Sequence, residues 1–236
     1  MRDKIGILCA GDREAAPFLA HIENITVTEK AMLKLYEGTI YNIPVVVLFS
    51  GVCKVNAAIA AQILIDHYGV SMILNAGTAG GMDPRLELFD TVIATQSVYH
   101  DVAANILTEF HPWMDSVFFP SDAELLRLSR LAAAKLDDRY PIYWGRIATG
   151  EAFIADDGRQ EIIGRFSPLA VDMETAAIAH VCYVNRVPFL AIRCVTDTAN
   201  HSGSGHFHEN CPKASAIAKE ITLALLHEIK ARNESI

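Results

Sequence analysis

The stretch from Leu169 to Asn200, L-A-V-D-M-E-T-A-A-I-A-H-V-C-Y-V-N-R-V-P-F-L-A-I-R-C-V-T-D-T-A-N, constrains the fold more than any other part of the chain. Leu169 to Asp172 is an apolar run of strand length. Glu174 to about Asn185 is rich in Ala and free of Gly and Pro, which predicts a helix. Pro188 to Thr196 is a second, longer apolar strand. Strand, helix and strand at this spacing form a βαβ crossover, so the two strands are expected to lie parallel. Glu174 then stands just past the first strand and Asp197 just past the second. In open α/β sheets, ligands bind outside the carboxyl ends of the strands. A helix-dipole partner for Glu174 and a loop cap for Asp197 are the simpler readings of each acid taken singly. Taken together, the two acids point to a site.

The rest of the chain suits this core. With 236 residues, 51% of them hydrophobic, it is long and apolar enough to bury a full α/β core. A formal net charge of -8 argues against nucleic acid or an anionic membrane as partner. The longest apolar runs, such as Val45 to Phe49 and Val187 to Ile192, are strand-sized and not membrane-sized. Met1 to Leu8 reads as the approach to a strand, without the apolar region of a signal peptide. The five cysteines mostly fall in apolar elements, so reduced, buried thiols and a cytosolic location are expected.

In chain order, strands are predicted at Ile5 to Ala10, Ile25 to Glu29, Ala31 to Ile40 and Val45 to Ser50. Tyr41-Asn42-Ile43-Pro44 joins the last two as an antiparallel pair. Further strands are expected at Met72 to Ala76, Thr91 to Tyr99 and Ile142 to Ala148. Helices are expected from about Ala15, and over Val55 to His67, Asp122 to Leu136, Arg159 to Arg165 and Pro212 to about Ala231. Residues 100–120 read as a long connection. The expected architecture is α/β: one domain over residues 1–236, a three-layer α/β/α sandwich with a mixed central sheet.

Five strand ends collect chemistry-bearing residues: Glu14, Thr78, Phe153, Glu174 and Asp197. If their strands are mostly parallel, all five face one crevice. Gly77-Thr78-Ala79-Gly80-Gly81 could cradle an anion or let the backbone approach a sugar, but a plain tight turn after its strand is the simpler reading. It lacks the lysine of a P-loop and the spacing of a dinucleotide fingerprint. His201, His206, His208 and Cys211 invite a zinc reading, but their spacing fits no common structural site. A mobile lid with solvated histidines is the preferred account, and neither metal nor cofactor is expected.

As an ordered set, these motifs resemble the nucleoside phosphorylase and nucleosidase superfamily, and within it the bacterial 5′-methylthioadenosine/S-adenosylhomocysteine nucleosidases. The resemblance spans nearly the whole chain. It rests on Ile5-Gly6-Ile7 with Glu14, Ser50 to Val55, Asn75 to Gly81, Tyr99-His100-Asp101, Thr149 to Ile154, Asp172-Met173-Glu174, and Arg193 with Thr196-Asp197. It implies that Asp197 is the general acid toward adenine N7 and that Glu14 activates water. It further implies that Glu174 binds the ribose hydroxyls, Met173 packs on the sugar and Phe153 stacks on adenine. The Ile154 backbone would read the base edge, Phe207 would be a second aromatic lid, and Arg193 would orient the Glu174 side. Thr78 stands where the family usually has Ser, and keeps the hydroxyl. The family also implies a homodimer in which Leu107 reaches the partner's 5′ pocket. Departures are Cys53 for a usual Gly, the segment 101–113, and Asp12-Arg13-Glu14 in place of a more acidic loop.

The implied chemistry is coherent. Departure of adenine builds positive charge on the ribose, and protonation makes the base a neutral leaving group. Asp197 must then hold a proton, which needs burial or a neighbouring acid. Glu174 is expected to stay ionised, helped by the helix N-terminus. The expected reaction is hydrolysis of 5′-methylthioadenosine and S-adenosylhomocysteine in nucleoside catabolism and methionine salvage, with 5′-deoxyadenosine as a further candidate. Purine nucleoside phosphorolysis, suggested by Arg13, aminodeoxyfutalosine hydrolysis and a non-catalytic nucleoside-binding module stay open.

Overall fold

The computed structural model describes residues 4–111, 113–136, 139–155, 158–201 and 203–234. The amino-terminal half runs β1 (Ile5–Cys9), α1 (Asp12–Leu19), β2 (Glu23–Lys30), β3 (Leu33–Ile40), β4 (Ile43–Phe49), α2 (Lys54–Asp66), β5 (Met72–Gly81) and β6 (Thr91–Tyr99). Next come α3 (Ala104–Glu109), β7 (Phe118–Pro120), α4 (Ala123–Lys135) and β8 (Ile142–Thr149). The chain ends with α5 (Arg159–Phe166), β9 (Ala170–Asp172), α6 (Thr175–Asn185), β10 (Phe189–Asp197) and α7 (Ser204–Glu234).

Among strands of five or more residues, β1, β5 and β10 are buried along their whole length. Their near-continuous apolar sequences are those of parallel strands covered on both faces. β1 pairs in parallel with β4 and β5, and β5 pairs in parallel with β10. Beyond β10 the sheet turns back on itself. β10 pairs antiparallel with β6, β6 parallel with β8 and β8 parallel with β9. β9 then returns to β5, antiparallel, at Gly80 and Gly81. β5, β10, β6, β8 and β9 therefore close into a ring, and β1, β4, β3 and β2 extend from it as an open wing.

The closure corrects the expected crossover. β9 and β10 are not neighbours, and they run antiparallel, because β9 opposes β5 while β10 runs with it. The α6 segment carries the chain across the ring, not to an adjacent strand. A three-residue strand holds too little pattern to reveal its direction, so the sequence could not show this.

Helices cover both faces, giving the expected three layers and mixed sheet. Phe18 of α1, Leu125 and Leu128 of α4, and Leu225 and Ile229 of α7 pack in one cluster with β1, β4 and β5. On the other face, Ala57, Ala60 and Ala61 of α2 meet Ala176, Ala177 and Ala179 of α6. The small side chains let these two helices sit close together over the sheet.

Three other expectations change. The glycine run 77–81 is the second half of β5 and not a turn. The connection 100–120 is not plain loop but holds α3 and β7. The last helix begins at Ser204, with Pro212 inside it, so His206, His208 and Cys211 lie on helical turns and not on a mobile loop.

Candidate active site

A cleft of about 560 Å³ opens where β5, β9 and β10 meet the starts of α1 and α7, a size suited to a small organic ligand. Glu14, Thr78, Glu174 and Asp197 line it, and so do Phe153, Ile154, Met173 and Phe207. The five residues expected to face one crevice do so, although the strands carrying them are not all parallel.

Glu14 lies in the first turn of α1, not in a preceding loop, and turns inward. Its Oε2 accepts from the amides of Ala10 and Gly11 at 2.7 and 3.0 Å. Its Oε1 accepts from the Thr78 amide at 2.7 Å and the Thr78 hydroxyl at 2.8 Å. Both oxygens are thus fixed by local backbone and by β5. Gly77 makes this possible: a Cβ there would lie 2.5 Å from Glu14 Oε1 and 2.6 Å from Arg193 Nη1. The glycine run serves the close approach of charged side chains to a buried strand.

Arg193, in the middle of β10, is completely buried behind the cleft and does not line it. Its Nε lies 2.9 Å from Asp172 Oδ2 and donates to Thr175 Oγ1 at 3.1 Å. Its Nη2 meets Glu174 Oε2 at 3.5 Å, and its Nη1 lies 3.9 Å from Glu14 Oε1. One guanidinium therefore serves three carboxylates. Burial alone would weaken its charge, but Asp172, Glu14 and Glu174 together outweigh that.

Asp172 was quoted within a motif but given no role by the sequence. Its Oδ1 accepts from Thr149 Oγ1 at 2.6 Å and from the amides of Glu174 and Thr175 at 3.3 and 3.2 Å. From the cleft wall it holds the amides at the start of α6 and joins β8, β9 and β10. The legible signal was an Asp placed just before a predicted helix start.

Glu174 is the residue before α6, and its Oε1 accepts from the Cys53 amide at 2.9 Å. It differs from the expected ionised group. Burial pushes its pKa up to about 7, with Arg193 opposing and Asp172 and Glu14 adding to the rise. The helix N-terminus does not overcome desolvation and two neighbouring acids.

Asp197 ends β10 beside a register shift in the pairing with β5. Such a bulge re-aims the side chain that follows it. Its Oδ1 accepts from Thr196 Oγ1 at 2.8 Å. Burial raises its pKa, and the Thr196 hydroxyl, Arg159 and His206 only partly counter this. Phe153 and Phe207 meet edge to face at the cleft, with centroids 6.4 Å apart and planes 73° from parallel.

A sequence model of the family described as the phosphorylase superfamily matches residues 4–227. The chain belongs to the phosphorylase superfamily. A 5′-methylthioadenosine/S-adenosylhomocysteine nucleosidase of Anoxybacillus flavithermus is 34% identical over 230 residues, which are 95% of this chain and 98% of that one. A nucleosidase of the same name from Colwellia psychrerythraea, solved with adenine, superposes with a TM-score of 0.89 at 28% identity, covering 97% of this chain and 96% of the other. A futalosine hydrolase of Helicobacter pylori superposes with a TM-score of 0.88 at 25% identity, covering 97% and 99%. The resemblance read from the motifs holds over the whole fold.

Within this member of the superfamily, Leu107 lies outside its own chain's cleft, half-buried against the core. The wall contributed by α1 and α7 also carries Asp12, Arg13, Ser204, His208 and Cys211. Cys211 turns toward Ser215 at 3.7 Å, and His208 Nδ1 meets the Ser204 carbonyl at 2.6 Å. Among the described residues, no group of three or more His, Cys, Asp or Glu is arranged to hold a metal ion.

Proposed function

We propose that this protein hydrolyses the N-glycosidic bond of 5′-methylthioadenosine and S-adenosylhomocysteine, releasing adenine and the thioribose. 5′-Deoxyadenosine presents the same bond. The base stacks on Phe153 under the second aromatic lid, Phe207, with its edge on the Ile154 backbone. The ribose packs on Met173 and donates its hydroxyls to Glu174. As the C1′–N9 bond breaks, its electron pair passes to the base, and Asp197 delivers a proton to N7. A water oxygen bonds to C1′, and its proton goes to Glu14. The Thr78 hydroxyl is the donor to Glu14 that turns aside most readily, which frees a lone pair for that proton.

The observation that carries the reading is the contrast between the two acids. Asp197 is buried with one hydroxyl partner and an upward-shifted pKa, as a proton donor requires. Glu14 accepts four hydrogen bonds and sits by Arg193. Paired acids in divergent environments mark acid and base roles. Phosphorolysis is disfavoured because Arg193 is already matched by three carboxylates, which would repel a phosphate dianion at the nucleophile's side.

The relatives' names agree with this substrate class, and the Helicobacter pylori neighbour, a futalosine hydrolase by name, supports keeping a nucleoside of that kind, aminodeoxyfutalosine, as the second candidate for the same bond cleavage. We take the protein to be a cytosolic homodimer, which suits its free thiols. Product analysis of a 5′-substituted adenosine panel, with and without phosphate, tests the reading. Free sugar in both conditions supports it, and sugar 1-phosphate overturns it.

A further inference from the structure

Arg13 is a cation in the cleft wall that the proposed reaction does not use. It is exposed, follows Asp12 and precedes Glu14 in the first turn of α1, and lines the cleft. No ion pair occupies it among the described residues. The Asp12 carboxylate accepts from the Arg13 amide at 2.8 Å. Both face α7. Burial pushes the Cys211 thiol up, Arg13 opposes that shift and Asp12 adds to it. His208, one turn before Cys211, borders the same wall.

The base end of the cleft is taken by Asp197 and Phe153, and the ribose diol by Glu174. The remaining ribose substituent, at C5′, then has its thioether in the 5′ pocket that the proposed dimer completes, and a longer substituent continues from there to the α1–α7 wall. This step rests on the nucleosidase reading. A methylthio group offers nothing to a guanidinium or a carboxylate. An α-amino acid offers both opposite charges one carbon apart.

We infer that Asp12 and Arg13 read the amino-acid end of a 5′-homocysteinyl substituent, with its carboxylate on Arg13 and its ammonium on Asp12. The protein on this account discriminates in favour of S-adenosylhomocysteine against uncharged 5′ groups. Arginine suits the role because its planar fork matches a carboxylate in two parallel bonds. The wall is open to solvent, so the effect is moderate and falls with added salt.

The test is the specificity ratio, kcat/KM for S-adenosylhomocysteine over kcat/KM for 5′-methylthioadenosine, in wild type, Arg13→Met, Arg13→Lys and Asp12→Asn. The analogue carrying a 5′-(3-aminopropylthio) group, which lacks only the carboxylate, is the third substrate. Arg13→Met is expected to lower the ratio about 5-fold. Arg13→Lys should keep part of it, and the decarboxylated analogue should not respond to Arg13→Met. Asp12→Asn should penalise the analogue and S-adenosylhomocysteine alike. Equal changes for all three substrates would overturn the inference while leaving the nucleosidase reading standing. Phosphate-dependent release of sugar 1-phosphate that is lost in Arg13→Met would make Arg13 a phosphate ligand and overturn it too. If wild type releases adenine from none of the three, the nucleosidase reading itself fails, and the inference with it.

Discussion

The Cys53 amide donates to Glu174 Oε1 at 2.9 Å from a backbone with φ 79° and ψ 162°. That region is essentially reserved for glycine, and an L-residue there costs about 1–3 kcal/mol. Cys53 therefore holds the proposed ribose carboxylate at the expense of backbone strain. Substituting glycine relieves the strain and keeps the amide donor, but frees the unfolded chain at a cost of about 0.4–1 kcal/mol. The net gain is about 1 kcal/mol, so Cys53→Gly should melt about 2–4 °C higher than wild type. Cys53→Ala, which keeps the Cβ, should not. Thermal melting of the two variants decides the matter: a glycine variant no more stable than the alanine one would remove the strain.

Asp197→Asn should bind nucleosides but lose about 10²–10⁴-fold in kcat, the usual worth of a general acid. In wild type, kcat/KM should fall as pH rises through the raised pKa of Asp197, because the proton to be donated is gone. A folded-state acid pKa raised by burial also gives a stability term of definite sign. That term is present in full below the unfolded-state value, and is lost as pH rises toward the folded one. Asp197→Asn should abolish both the alkaline limb of residual turnover and this part of the pH dependence of melting. A variant within a few-fold of wild-type turnover would take Asp197 out of the mechanism.

Nucleoside binding near pH 6.5 should release protons. Free Glu174, with its pKa pushed up to about 7 by burial, carries its proton part of the time there. Two ribose hydroxyls donating together favour the ionised form, so ligand lowers the pKa and expels the proton. This order suits the proposed reaction: substrate ionises Glu174 while Asp197 keeps its proton. Calorimetric titration of a non-hydrolysable nucleoside in buffers of different ionisation enthalpy reads the proton count. Release should vanish in Glu174→Gln. Proton uptake in wild type, or release unchanged in the variant, would refute the assignment.

The sequence exposed the parts of this site better than their assembly. Glu14, Thr78, Glu174 and Asp197 were legible because acids and hydroxyls at the ends of apolar runs are conspicuous. The glycines at 77, 80 and 81 misled, since glycine is rare inside strands, yet here it admits the Glu14, Arg193 and Asp197 side chains. The direction of β9 was hidden by its three residues. The start of α7 was hidden by Gly203, Gly205 and Pro212, each a poor helix residue. The rise in the Glu174 pKa depends on Asp172 and Glu14 meeting one arginine, a contact among residues from three distant parts of the chain.

The last prediction concerns the apolar residues left at the surface. Val55 and Ile59, one turn apart on α2, are 68% and 45% exposed. Ile106 on α3 is 49% exposed, Phe110 just after it 58%, and Trp113 67%. Tyr183 and Val184 of α6, the helix packed on α2, are 38% and 48% exposed. Aromatic and aliphatic side chains in such numbers on neighbouring elements favour a protein interface. A homodimer is the occupant proposed here, and Val52, which lines the cleft close before α2, ties that surface to the site. Ile59→Asp should therefore shift the protein from dimer to monomer in sedimentation, with loss of most activity. Leu107→Asp should raise KM for thioether nucleosides more than for adenosine, because only the former fill an apolar 5′ pocket completed by the partner. A wild-type monomer that is fully active at assay concentration would sink the dimer. An equal KM change for both substrates would take Leu107 out of the pocket and leave the dimer standing.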